Sequence, residues 1–143
     1  MDNEIEILKE ILQNRSYVFD INIKNYSKNS PLHIAVENNN KELVKLFIKN
    51  NCDINILNVQ QETPLINAIK NNYTEIAMEL IKQDNIDINI KDSNSNSAFF
   101  IALNTKNREI LKEFLKISKI KPIKNKNNYS CEVLLFISGF KDL

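Results

Sequence analysis

Glycine is almost missing from this chain: one residue in 143, with three prolines, two cysteines, one histidine and no tryptophan. Each scarcity closes a class of function. A phosphate-cradling loop needs several glycines close together, so no nucleotide-binding fingerprint can be written. Structural zinc takes about four Cys or His ligands. Cys52, Cys131 and His33 are the whole supply, and the cysteines stand 79 positions apart. A Ser/His/Asp triad needs a histidine base, and His33 is the single candidate. Unclustered thiols suit a reducing compartment. The longest apolar run, Val133 to Ile137, is five residues, whereas a membrane helix needs about 20. The opening segment MDNEIEILKEILQN mixes charge with its apolar residues and does not read as a secretory signal. The expectation is a cytoplasmic protein with no metal, no cofactor and no membrane span.

What is present is ordinary in bulk and unusual in detail. Apolar residues make up 43% and charged residues 26%, with a net charge of +1. That balance suits one domain with a real core, and no whole-chain field points to nucleic acid. The chain holds 24 Asn, 22 Ile and 17 Lys. These are residues of A/T-rich codons, so the bias reads as a low-GC genome before it reads as chemistry.

The main signal is internal repetition. Ser30-Pro31-Leu32-His33-Ile34-Ala35 returns as Thr63-Pro64-Leu65-Ile66-Asn67-Ala68, 33 residues on. Ser97-Ala98-Phe99-Phe100-Ile101-Ala102 starts 34 further along, and Ser130 offers a fourth start after another 33. Asp20-Ile21-Asn22, Asp53-Ile54-Asn55 and Asp87-Ile88-Asn89 keep the same rhythm. Each unit reads as two short helices. Ser30 or Thr63 supplies an N-cap hydroxyl, and proline fits the first helical position. The first helix spans about 31–38, and Asn38-Asn39-Asn40 ends it. Second helices over 41–50, 75–82 and 108–116 place apolar residues at i, i+4 spacing, as with Leu43, Val44, Phe47 and Ile48. Neither helix can bury its apolar face alone, so the units must stack.

With these motifs in hand, the chain resembles the ankyrin repeat: T-P-L-H-x-A opening the first helix, E-I-V-x-L-L-L in the second, then G-A-D-V-N. Here the first full unit reads S-P-L-H-I-A, E-L-V-K-L-F-I and N-C-D-I-N. The resemblance implies an all-α solenoid. Its units would be 30–62, 63–96 and a divergent 97–129, with an N-terminal capping half unit over 1–29 and a C-terminal partial unit over 130–143. Glycines of the family pattern are replaced by Asn39, Asn72 and Lys106 between the helices, by Asn51 after the second helix, and by Lys28, Gln61 and Ser95 at the hairpin tips. Asn tolerates a left-handed backbone. At Lys28, Gln61 and Ser95 it would cost about 1 kcal/mol each, so reshaped tips are the expectation.

Chemistry finds little to work with. The resemblance makes His33 structural, bonded to backbone near the repeat opening. Cys52 reads as buried packing, Cys131 as an ordinary thiol, and the Asp of D-I-N as a turn former. Carboxylate pairs such as Glu6/Glu10 and Glu75/Glu79 read as solvated helix faces. Residues 106–126 carry +6 and residues 1–105 carry −4. This polarises the solenoid along its axis, without the interleaved aromatics that nucleic acid would want.

The function implied by the resemblance is a non-catalytic scaffold for an unknown protein partner. Family members with such compositional bias often act on host proteins, so a host protein, reached by delivery into a host cell, is a candidate. The alternatives are self-association through the apolar segment 131–143, or a piece of a larger ankyrin-containing effector or enzyme. Contact residues carried over from the family's tips and concave face are Val59, Gln60, Glu62, Ser93, Asn94 and Asn96 on tips. On first helices they are Ile34, Glu37, Asn38, Asn67, Lys70, Asn71, Ile101, Asn104 and Thr105. Ile34, Asn67 and Ile101 share one repeat position and are expected to form an exposed central row.

Overall fold

The computed structural model describes residues 2–14, 20–117 and Gly139. Among these residues the chain forms seven helices and no strand. They are α1 (Asp2–Gln13), α2 (Pro31–Glu37), α3 (Lys41–Lys49), α4 (Pro64–Lys70), α5 (Thr74–Ile81), α6 (Ala98–Asn104) and α7 (Arg108–Ile117). From α2 onward they come as pairs, a seven-residue first helix and a longer second one. The bounds of α2, α3, α5 and α7 lie within a residue of the ranges expected from the sequence.

Local chemistry sets these ends. The Ser30 hydroxyl accepts the His33 amide, Thr63 accepts Ile66 and Ser97 accepts Phe100. Asn40 and Asn107 cap α3 and α7 through their side-chain carbonyls. Left-handed residues punctuate the described chain at seven non-glycine positions where the family pattern would place glycine. Asn39, Asn72 and Lys106 turn one helix into the next, Asn51 follows α3, and Lys28, Gln61 and Ser95 sit at the tips, all with φ between 51° and 64°. The tips are therefore not reshaped. Each keeps its left-handed turn because a neighbouring Asx side chain holds it. Asn58 Oδ1 accepts the Gln60 and Glu62 amides, and Asp92 Oδ1 accepts those of Asn94 and Asn96.

Stacking then builds one continuous core. First helices lie side by side, α2 against α4 against α6, and second helices do likewise behind them. Val36, Val44, Ala68, Ile69, Ala77, Leu80, Ala102, Ile110 and Leu111 have no exposed surface. Alanine recurs at positions 35, 68 and 102, which are buried in each unit. Phe99 meets Phe114 edge to face at 6.0 Å, an arrangement favoured by the ring quadrupoles.

Polar bonds also tie one unit to the next. Within each D-I-N the Asp carboxylate accepts the Asn amide two residues on, at 2.8–2.9 Å, as the sequence suggested. The Asn does what the sequence did not suggest. Asn22 Oδ1 accepts the Asp53 amide and Asn55 Oδ1 that of Asp87, both at 2.8 Å, so the side chain reaches one unit forward. The His33 ring closes a similar link. Nδ1 accepts the Ser30 amide at 3.2 Å, which leaves Nε2–H to donate to the Glu62 carbonyl at 3.0 Å. Burial pushes the His33 pKa below the usual imidazole value, against the opposing effect of the Glu62 carbonyl bond. Cys52 is buried, and its thiol is pushed up to about 11 by burial, with Asp53 adding to it.

Candidate interaction surface

The edge most available to a partner is the row of hairpin tips with the adjoining face of the first helices. Register defines it: Tyr26, Val59 and Ser93 hold one position in successive units, and Ser27, Gln60 and Asn94 the next. Backbone bonds lace the tips into a ribbon. The Val59 amide donates to the Ser27 carbonyl at 3.0 Å, and the Ser93 amide to the Gln60 carbonyl at 2.9 Å. Lys24 adds a bond from its ammonium to the Leu57 carbonyl. A ribbon pinned this way offers side chains at fixed spacing, and that lowers the ordering cost of binding.

Most expected contact residues lie where the register placed them. Val59, Gln60, Ser93 and Asn94 are exposed on the tips, and Asn96 is half-buried. Ile34, Glu37, Asn38, Lys70, Asn71 and Asn104 are exposed along the first helices, and Thr105 is half-buried beside them.

Three are not exposed, which corrects the expected central row. Asn67 is 8% exposed and Ile101 7%, whereas Ile34 keeps 38%. First helices pack closely side by side, so a side chain at this position is covered by its neighbours. Asn67 lies on α4, between α2 and α6, and Ile101 joins the apolar core. Ile34 stays open because no described first helix precedes α2. Glu62 is the third, also 8% exposed. Its amide is bound by Asn58, its carbonyl by His33, and its carboxylate pairs with Lys70.

Sequence reasoning missed Tyr26, which is fully exposed at the first tip, and Ile23, exposed on the approach to it. The signal was available, since Tyr26 stands 33 before Val59. Together with Ile34 and Val59 these residues make the N-terminal part of the surface apolar. The third unit offers Ser93, Asn94, Asn96, Asn104 and Thr105 instead. Charge here is largely spent internally: Lys70 on Glu62, Glu37 on the Asn29 amide at 2.9 Å, and Lys24 on backbone. The convex side is different. There Lys41–Glu75 and Lys45–Glu79 bridge α3 to α5. The first pair holds the Lys41 pKa up and the Glu75 pKa down.

A stack of helix pairs with a mostly polar, partly apolar rim defines a repeat-type recognition module. The family profile described as ankyrin repeats (3 copies) matches residues 1–92. This chain belongs to the ankyrin-repeat family. It is 32% identical over 130 residues to human transient receptor potential cation channel subfamily A member 1. That match covers 91% of this chain and 11% of the channel subunit, so the chain spans about a tenth of that relative. Among solved structures it resembles EF0377, an ankyrin repeat protein, with a TM-score of 0.76 and 26% identity. The likeness covers 93% of this chain and 66% of that one. Ankyrin repeats are generally protein–protein interaction modules, and the fold is typically a non-catalytic scaffold. Among the described residues no helix is long and apolar enough to cross a membrane.

Proposed function

We propose that this chain is a non-catalytic scaffold that holds a protein partner along its hairpin tips and the open face of α2 and α4. The observation that carries the reading is the laced tip ribbon with Tyr26 and Val59 fully or largely exposed next to each other, and Ile34 open on α2. Large apolar side chains on a pinned scaffold are the usual anchors of an interface. The surrounding Gln60, Asn38, Asn71, Ser93 and Asn94 form a polar rim that can pair with partner backbone. Glu62 acts from beneath, tied to Asn58, His33 and Lys70. A host protein is included among the candidate partners.

The test compares three baits in a quantitative pull-down from native or host cytosol. They are the wild type, a tip variant (Tyr26→Ser, Val59→Ser, Ile34→Arg), and a convex-face variant (Lys45→Ala, Glu79→Ala). Partners should be retained by the wild type and the convex-face variant and lost by the tip variant. Capture of the same proteins by the tip variant would place the contact elsewhere.

A further inference from the structure

The segment Glu6-Ile7-Leu8-Lys9-Glu10-Ile11-Leu12 of α1 returns in α7 as Glu109-Ile110-Leu111-Lys112-Glu113-Phe114-Leu115, with one difference. On α7, Ile110, Leu111 and Phe114 are fully buried. There α6 lies against the helix, and Phe99 meets Phe114 edge to face. On α1, Leu8 packs against the core, but Ile7 remains 50% exposed and Ile11 37%. These two stand four residues apart, on one stripe of the helix. They border an open groove of about 650 Å³, walled also by Ile5, Leu8, Asn38 and Leu43.

Charge differs between the two copies as well. Glu113 pairs with Lys116 at 2.8 Å. The residue of α1 in register with Lys116 is Gln13, which offers Glu10 no charge. Lys9, the one cation of α1, pairs with Glu6 at 2.5 Å. By sequence α1 holds Asp2, Glu4, Glu6 and Glu10 against Lys9, a net −3. Glu10 is exposed and stands three residues after Ile7, at the edge of the apolar stripe. An apolar groove edged by a carboxylate attracts an apolar surface edged by a cation and repels one edged by an anion.

We propose that the α1 groove docks a basic amphipathic helix of a partner protein. The apolar face of that helix covers Ile7 and Ile11 as α6 covers α7. A lysine or arginine on its flank takes the place at Glu10 that Lys116 holds at Glu113. The main wall of the groove is a helix, which satisfies its own backbone and offers no strand edge. Recognition therefore rests on side chains, as when a helix lies in a groove. The surface shares only Asn38 with the one proposed for the tips and goes beyond it.

Fluorescence anisotropy with a labelled synthetic peptide tests this. The probe is a helix of about 18 residues of Ala, Leu and Lys, with leucine at i, i+3, i+4 and i+7 and lysine along its flanks. The control peptide carries Glu for Lys. The full chain should bind the lysine peptide saturably, at least about tenfold tighter than the glutamate peptide, and more weakly as salt rises. Ile7→Ser with Ile11→Ser should weaken binding at least about tenfold. Glu10→Gln should weaken it by about threefold, and so should Gln13→Lys, which gives Glu10 the partner that Glu113 has. Both positions are exposed, so circular dichroism should stay unchanged and the test stays readable where the double serine variant fails to fold. Tyr26→Ser with Val59→Ser should bind the peptide as the wild type does, which separates failure here from failure at the tips. Equal binding of both peptides would overturn the proposal, as would binding that survives the loss of Ile7 and Ile11 or ignores both Glu10→Gln and Gln13→Lys. A wild type that refuses the lysine peptide overturns it too. If that wild type sediments as a dimer that the double serine variant dissolves, the occupant is a second copy instead.

Discussion

Replacing Lys28, Gln61 and Ser95 with glycine should raise the melting temperature, and the size of the rise can be worked from the tips themselves. All three residues have left-handed backbone, with φ of 56°, 57° and 64°. A residue with a Cβ pays roughly 1–2 kcal/mol for that conformation. All three side chains are exposed, so truncation loses no packing. The turn bonds are made by backbone amides and survive: Lys28 to Asn25, Gln61 to Asn58 and Ser95 to Asp92, at 2.8–3.1 Å. Glycine returns about 0.4–1 kcal/mol through the freer unfolded chain. The net gain is roughly 0.5–1 kcal/mol per site, or about 2 kcal/mol for the triple variant if the sites add. For a chain of this size that is about 5–10 °C, readable by circular dichroism or calorimetry. Gln60→Gly is the control. Gln60 is next door and exposed but not left-handed, so glycine there should lower stability by about 0.5–1 kcal/mol. A triple variant melting at or below the wild type would refute the idea that these turns carry strain.

Three further outcomes are expected. His33 is held neutral in the fold, with its pKa below the usual 6.5. Below about pH 6.5 the unfolded chain therefore takes up the proton that the folded chain resists, and stability should fall with pH until the folded value is passed. Urea titrations between about pH 5 and 7 should show this slope, and His33→Gln should flatten it while lowering stability at pH 7. Asn55→Ala removes the acceptor of the Asp87 amide and the donor to the Asn85 carbonyl. It should cost about 1–3 kcal/mol by urea denaturation, more than Asn38→Ala on the open face, which makes no side-chain bond among the described contacts. With its thiol near 11 and buried, Cys52 should ignore thiol reagents at neutral pH until the chain unfolds. A Cys131→Ser background isolates that signal, and rapid labelling of the folded variant would show the site to be open.

Much of this protein was settled by local sequence. The 33-residue rhythm, the hydroxyl caps, the Asx turns of D-I-N and the left-handed turns at Asn39, Asn51 and Asn72 could be read in advance, whereas the tips at Lys28, Gln61 and Ser95 were expected to be reshaped and are not. Each depends on a residue and its near neighbours along the chain, and that information is fully present in the order of amino acids. The tertiary structure decided which register positions remain open. Ile34 and Ile101 are the same residue at the same place in the repeat, yet one is exposed and the other sealed in the core. Segments 6–12 and 109–115 differ at a single position, yet Ile7 and Ile11 stay partly exposed on α1 while Ile110 and Phe114 are buried on α7. Glu62 looked like a rim residue until the Asn58, His33 and Lys70 bonds closed over it. Accessibility is a property of what lies alongside in the stack, and a residue's own sequence neighbourhood carries no record of that.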